Sequence, residues 1–189
     1  HRVPLYLMAP GTVYVWTASG GGEEVAGTVE TGIPPRGARV LGHTTGTSTA
    51  SWVLASSPCM GSTDALIFDG DGVLHWYQDL SAGIGGFATE ALSWTEDGTV
   101  LAIVDQDRVV EYDLMGERLL MRRTGIDLPD TPIHHDVFRA DGKTWVLFLE
   151  TVDFMGEQFQ LDGFYVLDSD GEHLATWRLF DHFQPTSEE

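Results

Sequence analysis

The sequence predicts an all-β protein: a partial β-propeller of about three four-stranded blades, preceded by one hairpin of a β-sandwich. Three observations predict it. First, one hairpin is written three times, as apolar strand, Asp, two residues, Gly and second strand. The copies span residues 65–76, 109–120 and 164–174, with turns Asp69-Gly70-Asp71-Gly72, Asp113-Leu114-Met115-Gly116 and Asp168-Ser169-Asp170-Gly171. Their aspartates stand 44 and 55 residues apart, a period suited to one blade of about 40–50 residues. Second, short apolar or alternating runs are separated by Gly, Asp and Pro, which is strand and turn punctuation. Third, no segment sustains a helical period.

Residues 1–36 read as the first unit. Pro10-Gly11-Thr12-Val13-Tyr14 opens a strand, Gly20-Gly21-Gly22-Glu23 is a turn, and a second strand runs from Glu24 to Thr31. The Pro-Gly-Thr-x-Tyr pattern resembles the corner of fibronectin type III-like sandwiches, where a tyrosine hydroxyl bonds to upstream backbone. On that resemblance 1–36 is the C-terminal hairpin of such a domain. The alternative is an ordinary hairpin packed on the next domain.

Residues 37–189 read as the partial propeller, with blades at about 37–80, 91–123 and 134–180. In the first, Arg39-Val40-Leu41 is the expected inner strand, 42–50 a Thr/Ser/Gly loop, and Trp52-Val53-Leu54-Ala55 an apolar strand before the first repeated hairpin. Gly83, Gly85 and Gly86 mark an interblade connection. The second blade is the clearest, with strands at 91–94, 100–104, 108–112 and 118–122. The third opens at His134, turns at Asp141-Gly142, and carries an expected excursion around 155–160 before the last hairpin.

The net charge of −19 and pI near 4.4 argue against nucleic acid as a partner, since phosphate binding needs a basic face. The same charge disfavours anionic membrane surfaces, and no apolar run is long enough to span a bilayer. Acidity of this kind also suits a solvated, self-repelling surface. Lys143 is the sole lysine, Cys59 the sole cysteine, and asparagine is absent, so no N-glycosylation acceptor exists. The chain opens on His1 with no signal-peptide pattern, and a processed or partial sequence is expected.

Several residue groups are candidates for chemistry. Asp-x-Asp-Gly at 69–72 and 168–171 offers oxygens of the kind calcium loops use, but it equally supplies a turn: Asp accepts local N–H groups and Gly takes positive φ. The middle copy has Leu114-Met115 instead, which favours the turn. His134-His135-Asp136 is the densest spot. It opens a blade's first strand, and such strands line a propeller's channel. Strand alternation sends the two imidazoles to opposite sides, one facing the channel and the other packed or donating to a carboxylate. Imidazole is a base and nucleophile near neutral pH, and imidazolium stabilises anionic oxygens; adjacent histidines also serve purely structural ends. His182 is either a strand-end surface residue or a second channel residue. Glu150 and Asp153 suggest a paired-carboxylate site. His43 and His75 carry no pattern of their own. No zinc spacing and no nucleophile elbow occurs.

Together, residues from about 64 to 185 resemble the bacterial arylsulfotransferase family. The resemblance lies in the order of pieces: the first repeated hairpin with its trailing Trp76; Asp97-Gly98-x-x-Leu101 followed by Val109-x-x-Tyr112-Asp113-x-x-Gly116; His134-His135-Asp136 before Asp141-Gly142; and Asp162-Gly163 leading to Trp177, Asp181-His182 and Pro185. The upstream sandwich-like hairpin also fits.

The resemblance implies a six-bladed propeller outside the cytoplasm: extracellular, periplasmic or on the cell surface. The implied reaction moves a sulfuryl group from a phenolic sulfate ester to another phenol, with no cofactor and no metal. A transiently sulfated histidine splits the transfer into two steps, and cationic and hydrogen-bonding groups stabilise the spread negative charge. Only the histidine pair carries over, as substrate-binding His135, next to Asp136, or His134. The family's His-x-Asn motif, its following Arg and the nucleophilic histidine are expected downstream of Glu189. The isolated chain is therefore expected to be inactive without the C-terminal half, as contiguous chain or second polypeptide. The alternative is a non-catalytic extracellular propeller that binds partners. A third reading is a carbohydrate-active or lactonase-type propeller using carboxylates and a metal.

Overall fold

Turn residues cut the chain into short extended segments, and within each sheet every segment pairs with the next. The computed structural model describes residues 7–33, 51–56 and 63–183. These hold thirteen strands and one short 3-10 turn, and the strands form four antiparallel sheets in sequence order. The first sheet is a hairpin of β1 (Val13–Gly20) and β2 (Glu23–Glu30). Three strands follow: β3 (Trp52–Ser56), β4 (Asp64–Asp69) and β5 (Leu74–Asp79). Next come β6 (Thr89–Trp94), β7 (Val100–Val104), β8 (Arg108–Tyr112) and β9 (Arg118–Arg123). The last sheet is β10 (Ile133–Ala140), β11 (Lys143–Phe154), β12 (Glu157–Leu167) and β13 (His173–Arg178), ended by the 3-10 turn Leu179–Asp181. The all-β expectation holds. The strand expected at Arg39-Val40-Leu41, the 42–50 loop, His43, Cys59 and Pro185 lie outside the described residues.

The three repeated turns share one geometry. Asp69 Oδ1 accepts the N–H groups of Asp71 and Val73, Asp113 Oδ1 those of Met115 and Glu117, and Asp168 Oδ1 those of Asp170 and Glu172. Each closes with a glycine at φ near +80°: Gly72, Gly116 and Gly171. The copy lacking a second aspartate builds the same turn, so backbone bonding alone accounts for the motif. Thr95 does the same before Gly98, its hydroxyl accepting the N–H of Thr99 at 3.1 Å.

One expectation is corrected. The excursion around 155–160 is no loop: β11 and β12 pair continuously from Thr144↔Leu167 to Phe154↔Glu157. A two-residue turn joins them, with Met155 and Gly156 both at positive φ (+54° and +87°), the geometry that matches strand twist in tight hairpins. Polar residues in this arm hide its strand character from a hydrophobicity reading.

Two apolar layers hold the three larger sheets together. Strand β7 is fully buried, and its alternation splits it between the layers. Val100, Ala102 and Val104 pack with Ala65, Ile67, Trp76 and Tyr112 toward the β3–β5 sheet. Leu101 and Ile103 pack with Val109, Ile133, Val146, Phe148 and Tyr165 toward the β10–β13 sheet. Each such aliphatic side chain contributes about 1.5–3 kcal/mol when fully buried. Burial on both faces explains why β7 reads as a continuous apolar run.

Polar ties cross the same boundaries. Arg139 on β10 grips Glu111 on β8 with two bonds of 2.7 Å, and Thr99 Oγ1 donates to the same carboxylate at 2.5 Å. The first strand of the β6–β9 sheet, β6, touches β3 on one side and β10, the first strand of the last sheet, on the other.

Candidate functional site

The histidine segment sits where β10 leaves its register. Ile133 pairs with Phe148 and Val137 with Val146. Four steps on β10 therefore oppose two on β11, a bulge with two extra residues, and bulges re-aim side chains. His135 occupies the left-handed region at φ +56°. The expected alternation fails here for that reason: the two imidazoles meet rather than part. Their Nδ1 atoms lie 2.5 Å apart and the rings are edge to face at 4.8 Å.

The two rings have different surroundings. The His134 side chain is 12% exposed, and its Nε2 is 3.2 Å from Asp162 Oδ1 on β12. That contact has ion-pair distance without hydrogen-bond alignment, and the buried Nε2 has no other partner. His135 and Asp136 are exposed. Asp162 had no signal in the sequence as a partner: it lies 28 residues downstream, brought close by the pairing of β11 with β12.

His182 follows the 3-10 turn and stacks on Trp177, ring centroids 5.0 Å apart; its ring neighbour is that indole, not the histidine pair. It ends a ladder of rings across all four strands, Phe138, Trp145, Phe164 and Trp177.

Glu150 and Asp153 form no carboxylate pair. Three residues apart on one strand, they point to opposite faces. Glu150 is buried and accepts from Arg178 Nε and Nη2 at 2.8 and 2.6 Å, a bond that raises the Arg178 guanidinium. Nearby, burial pushes the Tyr165 hydroxyl up, against its bond with Thr131. This guanidinium is already matched to a carboxylate and is a poor site for a second anion.

His75, which had no pattern of its own, links two sheets' surroundings. Its Nδ1 is 2.6 Å from the Leu7 carbonyl and its Nε2 2.8 Å from Asp69 Oδ2. Both partners are acceptors. The Tyr14 hydroxyl accepts the Ala9 N–H at 2.8 Å, the upstream backbone contact its sequence context suggested.

Among the described residues no group of three or more His, Cys, Asp or Glu could hold a metal, and no helix is long and apolar enough to cross a membrane. The arrangement offers one chemistry above others: an exposed imidazole, backed by a second imidazole and a carboxylate, able to accept or donate a proton.

No curated protein matches the chain. A sequence model of the family described as Arylsulfotransferase (ASST) matches residues 43–189. That span covers more than half of the chain and includes the repeated hairpins and the histidine bulge, so the chain belongs to the arylsulfotransferase family.

Proposed function

We propose that this chain supplies part of an arylsulfotransferase propeller, and that its histidine pair binds the sulfuryl group of a phenolic sulfate ester. The observation that carries this reading is the His134–His135 bulge on the first strand of a sheet, β10, which meets the first strand of the sheet before it, β6, in a chain of this family. In the full reaction the nucleophilic histidine forms an N–S bond as the ester S–O bond breaks, and the phenolate leaves and takes up a proton. The acceptor phenol then gives up its proton and forms a new S–O bond as the N–S bond breaks. His135 stabilises the negative charge on the moving SO₃ unit.

Packing supports the propeller reading. Ala65 and Ile67 of the first larger sheet face the second, and Val109 of the second faces the third. The equivalent residue of the third sheet, Phe164, stands in the half-exposed aromatic ladder, the face a further blade would cover. Residues 1–36 are assigned to the end of a preceding sandwich, with Val15 and Val25 exposed on the hairpin. We assign the protein to the extracellular space, the periplasm or the cell surface, and its complement to a C-terminal half or second polypeptide.

The chain alone should bind p-nitrophenyl sulfate and release no p-nitrophenol. Binding that survives His134→Ala/His135→Ala unchanged would sink the site assignment. Metal-free, histidine-dependent turnover by the chain alone would sink its dependence on a complement. A second reading, a non-catalytic extracellular scaffold, would be supported by absence of any sulfate ester binding.

A further inference from the structure

The bulge does more than bring two histidines together; it orders their protons. The contact between the two Nδ1 atoms holds one proton, carried by one ring and accepted by the other. The remaining His134 nitrogen, Nε2, is buried beside the Asp162 carboxylate. A bare lone pair there would face an anion, so Nε2 carries a proton. In the neutral pair His134 then has a bare Nδ1, and His135 donates its Nδ1–H to it. The His135 Nε2 is left bare and exposed. A third proton has one vacant place, that same Nε2, whichever ring is counted as the cation.

We infer that Asp162 and His134 are positioning residues that present His135 Nε2, as lone pair or as N–H, to the ligand. The inference rests on the sulfuryl-binding reading for the ligand's identity but not for the proton order. Asp162 is more than half exposed, and its Oδ1 stands 3.2 Å from His134 Nε2. The left-handed backbone at His135 aims its ring back at His134. Such supporting partners decide which nitrogen of a histidine is available.

The test is nitrogen-15 NMR of the histidine rings in the whole chain: the tautomers are read at a pH where both rings are neutral, and p-nitrophenyl sulfate, an anion that needs an N–H donor, is added as the probe at a lower pH where the pair has taken up its third proton. His134 should be the Nε2–H tautomer and His135 the Nδ1–H tautomer. Asp162→Ala should turn His134 into a tautomer mixture and weaken the probe's effect on His135 on the order of tenfold. Asp162→Glu should restore both. Because Asp162 is exposed, an unchanged backbone spectrum should accompany the variant. A mixed tautomer at His134 in the unaltered protein, or no change in Asp162→Ala, would overturn the inference. So would a probe that acts first on His134. Correct tautomers with neither ring responding to the probe would uphold the relay and overturn the sulfuryl-binding reading instead.

Discussion

The β6–β9 and β10–β13 sheets are two versions of one design. Both are four-stranded meanders, both close with the same Asp-x-x-Gly turn, and both carry a bulge near the start of the first strand. In β6 the bulge is one residue, Glu90, between Thr89 and Ala91. In β10 it is two residues and carries His134 and His135. The repeat builds the scaffold, and the candidate chemistry sits where one copy departs from it. A second departure is the long β11–β12 arm, and a third is a glycine in β12, discussed below.

The most damaging way to break the relation between the two sheets is to cut the tie joining them. Glu111 and Arg139 are both at most one tenth exposed. Arg139→Ala leaves the Glu111 carboxylate buried without its cation, and the expected loss is about 3–5 kcal/mol, read from the urea midpoint. Replacing both residues with leucine should be close to neutral, because neither charge is then stranded. A loss under about 1 kcal/mol for Arg139→Ala would show that the sheets are not locked there.

A smaller effect tests the glycine. Five residues before the turn aspartate, the middle sheet has Arg108 and the last sheet Gly163. Arg108 binds Asp105 and Asp107 at 2.6 Å each. At Gly163 a Cβ would lie 2.2 Å from Phe148 Cζ and 2.6 Å from the Trp177 carbonyl oxygen. Gly163→Ala should therefore cost about 1–3 kcal/mol by overpacking, and adding Phe148→Leu should recover part of it. Thermal melting curves check both. An unchanged melting temperature would mean that Phe148 does not rest on this strand.

The turns come next in size. Gly116 stands at φ +82°, and Gly116→Ala should cost about 1–2 kcal/mol, the penalty for a side chain in left-handed backbone. Gly171→Ala, at φ +80°, should cost at least as much, since its Cβ would also meet Leu120 at 2.5 Å. Calcium should leave the melting temperature of the protein unchanged, because the turn at Asp113 forms without a second carboxylate.

Much of this was legible in the sequence. Strands β6 to β9 follow directly from apolar runs and their Gly and Asp punctuation, and the three turns from their spacing. The histidine pair was visible as a pair, but not its geometry. Alternation is the default of a strand, and a bulge overrides it through pairing with β11 that local sequence does not encode. In the sequence Asp162 is only part of an Asp-Gly step, since its contact with His134 depends on register across three strands. Glu150 and Asp153 looked like partners by proximity in sequence, yet a period of two places them on opposite faces.

The smallest expected effect lies outside the two large sheets and marks what the first repeated turn does differently. Asp69 alone among the turn aspartates also binds a histidine. The hydrogen bond from His75, then those from the Val73 and Asp71 N–H groups, hold its carboxyl below the usual 3.8. A carboxyl whose pKa is lower in the folded than in the unfolded state stabilises the fold above the unfolded value, and that contribution is lost as pH falls through the folded value. Asp79 acts in the same sense: burial pushes it up, but bonds from Thr63 and Ser81 outweigh that and leave it lowered. Stability should therefore be flat in this respect above about pH 5 and decline as pH falls from there through the carboxylate range. Asp69→Asn keeps the amide oxygen for the turn but removes the charge, so its stability should fall less steeply with acid than that of the unaltered chain. Parallel acid profiles of the two would show that the His75 contact contributes nothing and that the first turn is the same as the other two.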